Sequence, residues 1–183
     1  MKYLLSFLLA LSMLGLTAQD QPTQDQPTQD KPPRAFLEDV SSVDNILTAL
    51  YASISGGKGV SRQWDRFRFL LHPEAKLIPL QVPKEGKKVL NYIEPETYIK
   101  MANDYFLENG FFEEEIHREE QHFGPVVHVF STYISRRTED GEPFARGINS
   151  IQLAHDGERW WIVNIYWTAE SKELPIPKRY LPK

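Results

Sequence analysis

His117 stands in the middle of EEEIHREEQ, where an imidazole could take or give a proton near neutrality. In an extended segment successive side chains alternate, so Glu113, Glu115, His117 and Glu119 would share one face, opposite Phe112, Glu114, Ile116 and Arg118. Neither face is clearly the drier. The pattern therefore leaves His117 open as a pocket base or as a solvated edge histidine. Metal binding is disfavoured, because residues two apart on a strand stand about 6.6 Å apart, too far for Glu115, His117 and Glu119 to close on one ion. His128, in VVHVF, has apolar neighbours and reads as a hydrogen-bonded structural histidine. Asp65 lies among Arg62, Arg66 and Arg68 and reads as a solvated ion pair; Asp104 sits beside an apolar stripe and is no better placed.

Arg146, in FARGINS, offers a second chemistry. A guanidinium with Asn149 and Asn164 as neutral donors and Tyr133 and Tyr166 as flat walls could hold a small polar or anionic-aromatic ligand, with Tyr51, Trp64 and Tyr98 lining the same space. The plainer alternative pairs Arg146 with a neighbouring glutamate. Gly147 beside it leaves room for a bulky cross-strand neighbour or a bulge. No nucleophile constellation is present: serines lack an elbow glycine pattern, and cysteine is absent. GGKG at 56–59 lacks the strand and hydroxyl residue of a phosphate loop, so no cofactor or metal is indicated.

Three helices and a set of strands must position these groups. Val43, Ile46, Leu47, Leu50 and Ile54 fall at helical spacing, with Ser41 and Asp44 as a capping box and Gly56-Gly57 as the stop. Trp64, Phe67 and Leu71 mark a second helix, capped by Ser61 and ended at His72-Pro73. The third has Pro95 in its first turn, a stripe of Tyr98, Met101, Ala102, Tyr105 and Phe106, and Gly110 at its end. AKLIPLQV and VLNYI flank PKEGKK and suggest a short edge hairpin. Four strand-like runs follow, joined by short turns at Phe123-Gly124-Pro125, Glu139-Asp140-Gly141 and Asp156-Gly157, which makes neighbours antiparallel. Helices followed by a long meander describe an α+β domain. In the last run, RWWIVNIYWTAE, strict alternation sends Trp160, Ile162, Asn164 and Tyr166 one way and Trp161, Val163, Ile165 and Trp167 the other. One side covers the helices, and the exposed set on the other predicts a homodimer across the outer sheet face. The alternative cover is the chain's own tail, ELPIPKRYLPK.

The chain has 183 residues and a formal charge of −4, without a basic cluster, which argues against electrostatic nucleic-acid binding. Residues 1–18 read as a secretory signal peptide, Lys2 preceding an apolar run too short to span a membrane; its removal takes away one positive charge, from −4 to −5. Export to the periplasm or beyond is expected, with no integral membrane segment left. Residues 19–34 repeat Gln, Asp, Pro and Thr and read as a disordered linker. Residues 35–183 suffice for one domain with a single core.

WDRFRFLLHPEAKLIPL, HVFSTY, FARGINSIQL and DGERWWIVNIYWTAE, followed by PIPKRYL, together resemble the nuclear transport factor 2-like (SnoaL-like) superfamily, specifically its secreted bacterial members of unassigned role. The resemblance spans roughly 43–181. It implies a cone in which a strongly bent, mainly antiparallel sheet wraps three N-terminal helices around an open, partly apolar pocket. The superfamily holds isomerases, cyclases, dehydratases and epoxide hydrolases beside non-enzymatic members, so the fold does not decide the function. The leading expectation is a small-molecule-binding or dimeric scaffold domain; the alternative is an isomerase, dehydratase or hydrolase with His117 as acid/base and Tyr133 as a partner in the pocket.

Overall fold

The computed structural model describes residues 36–81 and 89–183. The expected signal peptide and repeat linker, and the expected PKEGKK turn, lie outside the described residues. The first helix, α1 (Val43–Ile54), buries Ile46, Leu47, Ala49, Leu50, Tyr51, Ser53 and Ile54. Its cap is Ser42, whose Oγ accepts from the Asn45 N–H at 3.1 Å; Ser41, the expected cap, instead donates to the Glu38 carbonyl. Helix α2 (Trp64–Leu70) has no side-chain cap and passes at Leu71 straight into a strand, so Pro73 falls in the strand rather than beyond a loop. Helix α3 (Pro95–Asn109) begins at its proline and ends at Gly110, whose φ of 69° is the left-handed conformation glycine tolerates best. It buries Ile99, Ala102 and Phe106, whereas Met101 is 63% exposed and Tyr105 46%.

The strands are β1 (Leu71–Gln81), β2 (Val89–Leu90), β3 (Phe112–Phe123), β4 (Val126–Arg136), β5 (Ala145–His155) and β6 (Trp160–Ala169). They form one curved, unclosed sheet in the order β2-β1-β6-β5-β4-β3, with a mixed α+β composition. The β3–β6 meander is antiparallel, and β1 joins β6 in parallel. The expected edge hairpin reduces to two pairs, Leu80 with Leu90 and Gln81 with Val89. The helices close the core against one sheet face: Phe67, Leu70, Ile46 and Leu47 pack with Val127, Val129, Ile151, Leu153, Ile162 and Ile165. Among the described residues no helix is long and apolar enough to cross a membrane.

Beside an irregularity between Leu71 and Lys76 of β1, two bulges break the strict alternation where the candidate residues lie. In β3 the register shifts between Glu115 and His117, so Glu113 and Glu115 oppose Ser135 and Tyr133 while His117 opposes Thr132. Residues directly opposite share a face. In β6 Leu153 opposes Ile162 and Gln152 opposes Asn164, leaving Val163 as the extra residue. Ile165 and Trp167, expected on the outer face, therefore point toward the helices opposite Ile151 and Asn149. Asn164 and Tyr166, expected inside, share the outer face with Gln152 and Ser150.

The junction of the helices with the sheet rests on one buried cation. Arg62, 5% exposed, donates to the carbonyls of Gly56 (2.6 Å), Phe106 (3.0 Å) and Gly57 (3.3 Å), and also to that of Val60. Those bonds fold the glycine loop after α1 against the end of α3. Removing the guanidinium would strand several carbonyls, each costing about 1–3 kcal/mol when buried. Arg62→Met should lower the unfolding free energy in urea by at least ~2 kcal/mol; an unchanged midpoint would contradict this role.

Candidate functional site

Behind the start of β3 lies a cavity of about 220 Å³ whose apolar walls are Leu50, Ile54, Phe67, Leu77, Phe111, Ile165 and Trp167. Its polar groups are Glu113, Ser135, Asn149, Tyr98 and Tyr133, and Phe144, 45% exposed, stands at its mouth. Glu113 is pinned at the backbone: its N–H donates to Ser55 Oγ at 3.0 Å, and the next bridge, Gly56 with Phe111, is closed in both directions at 2.7 and 3.0 Å. The C-terminus of α1 thus fixes where β3 begins. Its carboxylate accepts from Ser135 Oγ at 3.1 Å and Asn149 Nδ2 at 3.4 Å.

Those two bonds do not offset the loss of water. Burial pushes the Glu113 carboxyl up from 4.5 to about 7, with Ser135 and Asn149 pulling it back only in part. The phenols of Tyr51, Tyr98 and Tyr133 are also raised, chiefly by burial and further by the charge of Glu113. All three stay protonated and can donate.

A second chain of bonds sets the amide of Asn149. Its Nδ2 donates to Tyr51 Oη at 3.1 Å, Tyr51 meets Ser131 Oγ at 2.6 Å, and Ser131 donates to Glu115. Glu115 is held by Arg118 at 2.8 Å, and Arg118 also reaches Asp44 of α1 at 2.9 Å. Asn149 therefore presents its N–H groups toward Glu113 and Tyr51, a direction fixed from the far end of the network. Gly147 makes the remaining space: a Cβ there would lie 2.5 Å from the hydroxyl of Tyr133, its cross-strand partner.

Of the residues expected to hold a ligand, Tyr98, Tyr133 and Asn149 line the cavity and Tyr51 is bonded to its edge. Trp64 packs on Phe67 and Phe106 and donates to Asn103 at 2.9 Å, away from the cavity lining. Arg146 is paired with Glu170 at 2.7 Å, the plainer alternative of the two weighed for it, so the cation expected to favour an anionic ligand is already neutralised. Asn164 and Tyr166 lie outside because of the β6 bulge. His117 shares the outer face with Thr132, whose Oγ1 donates to the carbonyl of Tyr180 at 2.7 Å. On that face the tail folds back, with Tyr180 edge-on to Phe130 at 5.0 Å. Of the residues expected at an interface between copies, Trp161 is held by Asp156 through its indole N–H at 2.6 Å and by Arg159 over its ring at 3.6 Å, and Val163 is 38% exposed. The group that sequence reasoning missed is Glu113, grouped with His117 on one face; its only signal was its place just after Gly110, where the chain leaves α3.

Compared with protein-family models and with curated proteins, the sequence matches none. Among solved structures it is similar to a protein of unknown function with a cystatin-like fold from Nostoc punctiforme PCC 73102, with TM-score 0.53 and 9% identity over 73% of this chain and 96% of that one. An uncharacterized protein with a cystatin-like fold from Caulobacter vibrioides gives 0.51 and 12% over 72% and 89%. An NTF2-like protein of unknown function from Shewanella baltica OS155 gives 0.46 and 14% over 69% and 92%. The chain shares the cystatin-like fold of the first two. At these identities the likeness concerns fold alone.

The raised carboxyl links the site to stability. Because the folded-state value lies above the unfolded one, the contribution of Glu113 is fully present below about pH 4.5 and is lost as pH rises through about 7. Glu113→Gln should flatten that slope and stabilise the protein at pH 8 by on the order of 3 kcal/mol, since one unit is about 1.4 kcal/mol. Chemical denaturation of both proteins at pH 5 and pH 8 checks it; parallel pH dependences would contradict the burial of a titrating carboxyl.

Proposed function

We propose that the protein binds a small, largely apolar molecule of about one ring in this cavity and holds its polar group against Glu113. The observation that carries the reading is a lone carboxyl set in a recess of about 220 Å³ that is otherwise mostly apolar. A cavity of about 150 Å³ accepts benzene, so one ring with a short substituent fits. Tyr98, Tyr133 and Asn149 supply neutral hydrogen bonds that orient the guest.

A second reading is favoured by the value near 7 at Glu113, the range in which a carboxyl is a useful acid and base. In it Glu113, in place of His117, moves a proton on the bound molecule, and a phenol of Tyr133 or Tyr98 stabilises the developing negative charge, as an isomerase, dehydratase or hydrolase requires. One experiment addresses both readings. Cyclohexanone titrated into the labelled protein in D2O should shift the signals of Trp167 and Asn149 saturably, and Ala145→Phe, at a further residue of the lining, should fill the recess and weaken binding at least tenfold. Shifts scattered over the outer face, indifferent to Ala145→Phe, would overturn the pocket. In the same samples, exchange of the ketone's α-protons that is lost in Glu113→Gln supports the second reading; equal exchange in both proteins ends it.

Self-association is the other part of the proposal. The tail occupies the outer face around Phe130 and Thr132, which leaves the end bearing Val163 and Trp161 for a second copy. Sedimentation at low micromolar concentration should show a dimer that Val163→Lys dissociates, and a wild-type monomer would refute it.

A further inference from the structure

We infer that the molecule the cavity accepts is a small amine in its cationic form, its ammonium group facing Glu113 and its apolar body against the aromatic walls. The inference rests on the cavity being a binding site and concerns the class of ligand it takes. Among the described residues that line the cavity there is no Lys, Arg or His, so the carboxyl has no resident partner of opposite charge. The groups that face Glu113 are Tyr51 from α1, Tyr98 from α3, Tyr133 and Ser135 from β4, and Asn149 from β5; all are neutral. Glu115, the next inward residue of β3, has its own cation in Arg118. Arg137, the guanidinium that touches the lining, stacks on Phe144 at 4.0 Å and bonds Tyr105 and the Gly110 carbonyl instead of Glu113.

Six aromatic rings, Phe67, Tyr98, Phe111, Tyr133, Phe144 and Trp167, contribute to the same lining. Their faces carry negative potential, which attracts a cation as it leaves water. A neutral guest would leave the ionised carboxyl uncompensated. An anionic one would add a second negative charge beside it. An ammonium group supplies the missing countercharge, and in doing so holds Glu113 ionised at a pH where the empty cavity half protonates it.

Three isosteric probes separate these cases: 2-phenylethylamine, cationic throughout pH 6–8, the neutral 2-phenylethanol and the anionic phenylacetate. By calorimetry at pH 8 the amine should bind at least tenfold more tightly than the alcohol, and phenylacetate should not bind. Lowering the pH from 8 to 6 should weaken the amine severalfold as Glu113 takes up a proton, and leave the alcohol unchanged or tighter. Glu113→Gln should abolish the preference for the amine while the alcohol still binds. Equal or tighter binding of the alcohol at pH 8, or an amine preference that survives in Glu113→Gln, overturns the cationic ligand while the cavity stands. Failure of all three probes to bind the wild type, together with no effect of cyclohexanone, overturns the cavity and this inference with it.

Discussion

The desolvation of one carboxyl governs this structure. Glu113 sits part-buried among Leu50, Ile54, Phe67, Leu77 and Ile165, and its two side-chain hydrogen bonds, from Ser135 and Asn149, replace only part of the hydration it gives up. A carboxyl in that position would normally be driven to the surface by a small backbone shift. Here the shift is prevented, because Ser55 and Gly56 at the end of α1 grip the backbone of β3 on either side of Phe112, and Arg62 grips Gly56 in turn. The fold thus holds a group in an environment it would not choose, which is the common physical origin of functional ionisable sites.

Curvature with register shifts delivers the rest of the site. A single extra residue in β3 lets Glu113 and Glu115 face the helices while His117 faces away, and one extra residue in β6 brings Ile165 and Trp167 inside. Bulges of this kind bend a strand and increase its twist. In a sheet that must wrap three helices they appear where the bend is needed. The second inward glutamate serves the first at a distance: Glu115, neutralised by Arg118, anchors the Ser131–Tyr51 chain that sets the amide of Asn149 toward Glu113. Polar groups on both sides of the core are joined in this way.

Much of the fold was legible in the sequence because it is written in local signals. Helical spacing marks α1, a proline and a glycine bracket α3, and the turns at Gly124, Gly141 and Gly157 delimit the meander, whose neighbours are antiparallel as short links require. The parallel pairing of β1 with β6 was not visible, since it joins segments far apart in the chain through no shared turn. Site residues divide along the same line. Tyr98 could be placed by helical spacing, and Tyr133 and Asn149 by alternation within regular stretches, whereas His117, Asn164 and Tyr166 lie beyond a bulge and change faces. Neither bulge contains glycine, so no residue type announces it. Glu113 went unseen because the alternation left both faces of its strand undecided, and its pairing with Ser135 appears only in the folded sheet.

The ionisation of Glu113 decides whether the cavity is a site. Carbon-13 labelling of glutamate side chains, with the Glu113 carboxyl assigned by its loss in Glu113→Gln, allows its titration to be followed by NMR in the folded, ligand-free protein. A transition close to pH 7 is the predicted result. A transition near 4.5 would mean that water reaches the carboxyl freely and that the cavity is not the site described.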